Sequence, residues 1–304
     1  MKKDPNIKIF VTHFNKPEFI YEDDVFVPIQ AWKKNSKIDL GIQWDDTWDN
    51  ISEKNSQYAE LTTQYWVRKN YDLSNVDYVW FCHYRRYMTY MHKPNVLEYI
   101  WKKNPYSKWE RTLLPWYYKA VNEWCYCKWF NVDILKGISK STKDYLKNNE
   151  FDLYQCKRET AYLSKLLTKL WIRNSYLRYE PPVLNYDNLK IYKMAMELFF
   201  NTHPECIKSI ISIQNEWRGW LVLAHRHMYI MKKSLFLNYS KRLFEYLFLL
   251  EELINKNQYD FYHYFNDNRF YWIISEPLIN YRRCFMTDDY SIKSSFDANM
   301  YFCV

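Results

Sequence analysis

Short hydrophobic runs alternate with longer amphipathic segments in the first part of the chain. The run Lys8–Thr12 predicts a strand close to the amino terminus, and Tyr78–Cys82 predicts a second one. Between them, residues 58–70 carry apolar side chains near helical spacing and predict a helix. This β–α–β order within the first 90 residues predicts the beginning of an α/β sheet.

The later segments predict mainly helices around that sheet. Residues 92–150 mix tryptophans with lysines, and we interpret them as a helical insertion that either packs on the core or meets an acceptor or membrane headgroups. Residues 160–220 predict an acceptor-side helical region, and residues 234–254 predict an amphipathic helix. We expect a single domain over residues 1–285, followed by a peripheral C-terminal tail over 286–304.

The end of the second predicted strand carries the most informative motif. Its apolar run stops at His83, Tyr84, Arg85 and Arg86. Ligands of open α/β sheets bind just beyond the carboxyl ends of the strands, and arginine side chains match the geometry of phosphate oxygens. The motif therefore favours a phosphate-bearing ligand. The alternative is that an arginine pairs with a structural carboxylate such as Glu60.

Composition narrows the ways in which such a ligand could be held. The chain has only 3 glycines among 304 residues, and neither a Walker A pattern nor GxGxxG is present. A nucleotide would have to be bound by side chains and ordinary backbone. The formal net charge of +8 fits polyanionic substrates or an anionic membrane face. A nucleic-acid partner is not favoured, because no recognised binding motif accompanies the charge.

The seven scattered cysteines include no CxxC pair, which is typical of reduced thiols in a cytosolic protein. No signal peptide is predicted, and no apolar stretch approaches the ~20 residues of a membrane span. We therefore expect a cytoplasmic protein that can contact the inner face of the cytoplasmic membrane.

Five blocks in order along the chain carry a family resemblance. They are Asp45–Asn55, Glu60–Asn70, His83–Met88, His227–Phe236 and Ser275–Leu278. Together they resemble a domain-of-unknown-function family of bacterial capsule, exopolysaccharide and lipopolysaccharide glycosyltransferases marked by an HYRRY motif. The resemblance implies a GT-A-like fold, in which a Rossmann-type α/β sheet with helical insertions binds a nucleotide sugar.

The chain departs from the family pattern at four positions. Trp44 and Trp48 stand where the family has glycine, so we expect this loop not to adopt backbone angles reserved for glycine. His227 replaces an asparagine, and Pro277 replaces an arginine. These departures favour one alternative function, a catalytically inactive glycan- or nucleotide-binding protein of the same fold.

The acidic block offers three interpretations. Asp45, Asp46 and Asp49 with Asn50 could hold Mg²⁺ or Mn²⁺ through oxygen ligands, bind ribose and sugar hydroxyls, or simply cap a helix. We do not favour a metal, because Arg85 and Arg86 occupy the place where related folds carry a metal-binding Asp-x-Asp.

The candidate site residues follow from these motifs. Glu276 lies in an apolar run, where a carboxyl group would have a raised pKa and could act as a base, although it could instead pair with an arginine. The catalytic candidates are Glu276, His227 and Asp46. The donor-binding candidates are Thr12, His13, Asp45, Asp46, Asn50, His83, Tyr84, Arg85, Arg86 and His225.

The sequence thus predicts a glycosyltransferase. The resemblance implies a nucleotide-sugar donor, with a UDP-sugar favoured, and a surface-polysaccharide acceptor that is lipid-linked. A third alternative is a nucleic-acid binder, suggested by the charge and the many aromatic residues.

Overall fold

The computed structural model describes only part of the chain. The described residues are 3–17, 19–84, 86–89, 99–103, 123–127, 132–156, 186–204, 206, 229–257, 269–275, 278 and 294–303.

The described strands form one mixed sheet. The strands are β1 (Ile7–His13), β2 (Phe26–Gln30), β3 (Gln43–Trp44), β4 (Tyr78–His83), β5 (Arg86–Thr89), β6 (Tyr99–Lys103), β7 (Glu123–Cys127), β8 (Leu153–Cys156), β9 (Tyr229–Lys232) and β10 (Ser294–Cys303). Their order is β3-β2-β1-β4-β9-β8-β10-β7-β6, and β5 pairs with β4 and β10. The first four strands in this order are mutually parallel, whereas β9 runs antiparallel to β4.

Helices cover both faces of the parallel strands. They are α1 (Asn55–Tyr58), α2 (Leu61–Asn70), α3 (Val132–Asn148), α4 (Tyr186–Thr202), α5 (Lys233–Lys256) and α6 (Phe270–Ser275). Alternate residues of β4 enter different cores: Val79 and Phe81 pack with α2 and α5, whereas Trp80 and Cys82 pack on the side of α3. Burial on both faces explains why β4 is a continuous apolar run rather than an alternating one.

The predicted strands and the long amphipathic helix are confirmed, and the predicted helix between the strands is interrupted at one residue. The strand predictions correspond to β1 and β4, and the helix predicted over 234–254 is α5. The helix predicted over 58–70 is divided into α1 and α2, because Ala59 has a left-handed φ of 47° and interrupts the helix. This break sets the position of Glu60 at the start of α2.

Two predictions about the later segments were wrong. The segment 92–150 contains β6 and β7, paired antiparallel, before α3. Tyrosine, isoleucine and tryptophan in Tyr99–Lys103 favour a strand, and the helical interpretation overlooked this preference. Residues 286–304 are not a peripheral tail, because β10 pairs with β5, β7 and β8 inside the sheet. The alternation of Phe296, Ala298, Met300 and Phe302 is the pattern of such a strand.

Within the described ranges, no helix is both long enough and apolar enough to cross a membrane. In the predicted acceptor-side region 160–220, the described residues form α4 and the few residues after it; the rest of that prediction lies outside the described residues.

Candidate functional site

The parallel strands bring the predicted motifs to one edge of the sheet. Thr12 of β1 lies opposite Ile29 of β2 on one side and His83 of β4 on the other. Beyond this edge, β4 turns back into β5, with His83 paired to Arg86. His83 and Arg86, the first and last residues of the His-Tyr-Arg-Arg motif, therefore pair at the carboxyl end of a central strand, where ligands of α/β sheets bind.

A narrow recess, too small to hold a water molecule, lies at this edge between the strand ends and the start of α2. Its walls are formed by Thr12, Glu60, Gln64, Phe81, Cys82 and His83. Glu60 and Gln64 are four residues apart at the start of α2, so both side chains lie on the same helix face. The recess is therefore lined by polar and apolar residues of β1 and β4 and by two polar side chains at the start of α2.

Glu60 and His83 form a close pair across the recess. Nε2 of His83 lies 3.0 Å from Oε1 of Glu60, and both side chains are mostly buried. The contact is a close electrostatic approach rather than a well-aligned hydrogen bond. His83 is the partner of Glu60 among the described side chains, whereas the pairing of Glu60 with Arg85 or Arg86 that the sequence suggested concerns side chains outside the described part of the chain. The pair fixes an ionisable ring at the end of β4.

Gln64 offers a buried donor at the same recess. The hydroxyl of Tyr229 donates a 2.7 Å hydrogen bond to Oε1 of Gln64, which fixes the amide. Nε2 of Gln64 is buried and has no hydrogen-bond partner among the described residues. An unsatisfied buried amide costs about 1–3 kcal/mol, so a bound acceptor group there would be favourable.

His13 is held at the end of β1 as a neutral ring. It is buried, and its ring stacks on that of Tyr84 with 5.8 Å between centroids. The amide of Tyr84 donates to the carbonyl of Thr12, which ties the hairpin to β1. Burial lowers the pKa of His13 to about 4, so the imidazole is uncharged near neutral pH. A neutral imidazole offers one donor and one acceptor, which suits hydrogen bonding to a nucleobase.

Asp45 is fully buried and is surrounded by protein donors. Its carboxylate accepts hydrogen bonds from the backbone amides of Trp32 and Lys33, at 3.1 and 3.2 Å. The hydroxyls of Ser52 and Thr62 also donate to it, at 2.6 and 2.7 Å. Burial nevertheless raises the pKa of Asp45. Because each oxygen already accepts two bonds, the geometry favours the structural interpretation of Asp45, as an anchor between two loops and α2.

Asp46 and Asn50 differ from Asp45 in their surroundings. The amide of Asn50 donates to the carbonyls of Asp46 and Trp48, at 3.0 and 2.8 Å, and so holds the turn after β3. The half-buried side chain of Asp46 has no hydrogen bond or ion pair among the described residues. Of the candidates in the acidic block, Asp46 has the carboxylate that is available to a ligand.

The expectation about glycine-only backbone angles was wrong. Trp48 has a φ of 50°, and Trp32 has a φ of 61°, both in the left-handed region. A residue with a side chain can occupy this region at a cost of about 1–2 kcal/mol. At Trp48, the hydrogen bond from Asn50 to the carbonyl helps to hold the turn.

Several predicted site residues lie outside the described residues. They are Arg85, His225, His227 and Glu276; Arg86 is described only as part of β5. Sequence reasoning did not identify Gln64 as a site residue and named Glu60 only as a structural partner. The signal in the sequence was the four-residue spacing of Glu60 and Gln64, which places both side chains on one face of a helix. In the described ranges, no group of three or more His, Cys, Asp or Glu side chains is arranged to hold a metal ion.

Comparison with known proteins supports the family resemblance over the first part of the chain. Residues 8–114 match the family described as domain of unknown function DUF4422, which confirms the resemblance to a domain-of-unknown-function family. No curated protein matches the chain in sequence.

A solved structure shares the fold. It is the apo structure of the WbbM bifunctional glycosyltransferase, with a TM-score of 0.70 and 24% sequence identity. The similarity covers 98% of this chain but 45% of the WbbM chain. The fold is thus the mixed α/β fold predicted from the sequence, and the chain spans less than half the length of that relative.

Proposed function

We propose that the protein is a glycosyltransferase that uses a nucleotide-sugar donor and binds it at the shared edge of β1 and β4. The observation that carries this proposal is that Thr12, His83 and the unsatisfied buried amide of Gln64 converge at the carboxyl ends of β1 and β4. The WbbM glycosyltransferase has the same fold, which supports this reading.

The chemistry of transfer assigns roles to the neighbouring residues. The departing nucleotide diphosphate gains negative charge, which Arg85 and Arg86 of the hairpin would stabilise. Thr12 and the neutral His13 would line the base pocket. His83, held by Glu60, would donate to the donor from the recess. The carboxylate of Asp46 and the amide of Asn50 lie on the turn after β3, where they would meet sugar hydroxyls.

The proposed base is one of Asp46, His227 and Glu276. An acceptor hydroxyl must lose its proton as the new glycosidic bond forms, and a positioned carboxylate or imidazole would take it. His225 is proposed on the donor side. Mg²⁺ or Mn²⁺ would be an alternative source of positive charge at the diphosphate.

The proposed donor is a UDP-sugar, and the proposed acceptor is a lipid-linked surface polysaccharide at the inner face of the cytoplasmic membrane. The net charge of +8 supports attraction to an anionic membrane. The membrane would then bring the acceptor and the enzyme together.

A thermal-shift panel of UDP-, GDP-, CMP- and dTDP-sugars, with and without Mn²⁺, tests the donor proposal. Saturation at 100 times Kd would stabilise the protein by about 2.7 kcal/mol, which raises Tm by several degrees. We expect a UDP-sugar to give the largest shift. A flat response to every nucleotide sugar would contradict the proposal. Binding without release of free sugar would instead identify a catalytically inactive member of the fold.

A further inference from the structure

Trp48 presents a flat aromatic surface to solvent. It is 75% exposed, whereas Trp66 beneath it is 2% exposed. The two indole rings are stacked, with centroids 6.2 Å apart and an interplanar angle of 21°. Nε1 of Trp66 donates a 2.8 Å hydrogen bond to Oγ1 of Thr47, which fixes the lower ring. One face of Trp48 is therefore supported by the protein and the other is open.

The exposed ring is maintained at an energetic cost. The left-handed φ of Trp48 costs about 1–2 kcal/mol relative to ordinary backbone angles, and the exposed indole leaves a large apolar surface in water. The turn is nevertheless fixed at Trp48 and at the next residue: Asn50 donates to the carbonyl of Trp48 at 2.8 Å, and Asn70 donates to the carbonyl of Asp49 at 2.8 Å. An exposed, rigid and strained aromatic residue points to a binding role.

The residues that flank the ring select the ligand chemistry. Asp46 and Asp49 lie on either side of Trp48 in the sequence; Asp49 is paired with Lys69 at 2.7 Å, whereas the side chain of Asp46 has no hydrogen bond or ion pair among the described residues. The available carboxylate of Asp46 on this turn disfavours phosphates and anionic lipid headgroups. A carboxylate on the same turn as an exposed aromatic face suits a neutral, polyhydroxylated ring, which stacks its C–H face and donates its hydroxyls.

The platform is connected to the recess through α2. Trp66, which supports the platform, and Glu60, which lines the recess, are six residues apart, or about 9 Å along a helix axis. The platform and the recess are thus both attached to α2, less than two helical turns apart along its axis.

We propose that Trp48 is a stacking platform for a neutral sugar ring of the glycan acceptor, away from the reacting hydroxyl. The proposal rests on the proposed glycosyltransferase function for the identity of the glycan as the acceptor. It adds a specificity-determining residue outside the donor recess. In this role Asp46 would accept hydrogen bonds from hydroxyls of the stacked sugar, and His227 or Glu276 would then be the base at the reacting hydroxyl.

Binding to an array of neutral bacterial oligosaccharides tests the platform, with calorimetry on the best oligosaccharide. We expect Trp48→Ala to weaken binding at least about tenfold, and Trp48→Phe to keep most of the affinity because a ring remains. Ile38→Ala is the matched control, since Ile38 is also an exposed apolar loop residue, at 42%. Thermal unfolding of each variant verifies that the turn is still folded.

Two results would overturn the platform proposal: equal affinity of wild type and Trp48→Ala, or binding by the wild type of anionic lipid vesicles but of no neutral oligosaccharide. Donor hydrolysis by the wild type, measured in parallel, reports on the glycosyltransferase proposal without an acceptor. The two proposals can therefore fail separately.

Discussion

Replacing Asp45 with alanine should lower the free energy of unfolding by at least about 3 kcal/mol. The substitution leaves four hydrogen-bond donors without their acceptor at a fully buried position: the amides of Trp32 and Lys33 and the hydroxyls of Ser52 and Thr62. The hydroxyls can rotate to other partners, but the two backbone amides cannot. Denaturant unfolding followed by far-UV circular dichroism measures the loss.

Asp46 provides the matched control for that experiment. It is the adjacent aspartate, and its side chain has no hydrogen bond or ion pair among the described residues. Asp46→Ala should therefore change the free energy of unfolding by no more than about 0.5 kcal/mol. If both variants unfolded at the same denaturant concentration as the wild type, the anchoring role of Asp45 would be refuted.

Replacing His83 with glutamine should slow donor hydrolysis about 100-fold or more while the protein stays folded. One preorganised donor at a reacting group is commonly worth a factor of 10²–10³ in rate, and His83 lies in the recess beside Glu60. Release of free nucleotide diphosphate from the best donor of the panel, followed by chromatography, measures the rate.

A control variant at a second histidine tests whether the slower hydrolysis is specific to His83 or follows from the loss of any histidine. His203 follows α4, stacks on Phe199 and is not among the residues that line the recess. His203→Gln should hydrolyse the donor at nearly the wild-type rate. If His83→Gln also retained that rate, the recess would not be the donor site.

The arrangement of the site could be predicted where it follows from strand order. Parallel strands place their carboxyl ends at one edge, so the proximity of Thr12 to His83 follows from two hydrophobic runs and one intervening helix. The burial of β4 on both faces could also be predicted, because a strand buried on both faces has a continuous apolar run in its sequence. These features depend on local sequence patterns.

The roles of neighbouring polar residues could not be predicted in the same way. Asp45 and Asp46 are adjacent and chemically identical, yet one is buried among four donors and the other is available. This difference depends on Thr62 and on the loop at Trp32, which approach Asp45 only in the folded chain. The exposure of Trp48 likewise depends on its stacking against Trp66.

The place of β10 was missed for another reason. Its partners β5, β7 and β8 are distant in sequence. A short alternating segment at the end of a chain carries no local signal of which strands it joins. Only tertiary pairing turns such a segment into an interior strand.

The most direct test of the central claim is calorimetric titration of UDP into the wild type and into Arg86→Ala, both in EDTA. The claim is that the hairpin after β4 binds the diphosphate of a sugar donor through cationic side chains. It predicts binding to the wild type and an affinity at least about tenfold weaker in the variant, equivalent to about 1.4 kcal/mol. Equal affinity of the two proteins, or no binding of UDP to the wild type, would contradict it.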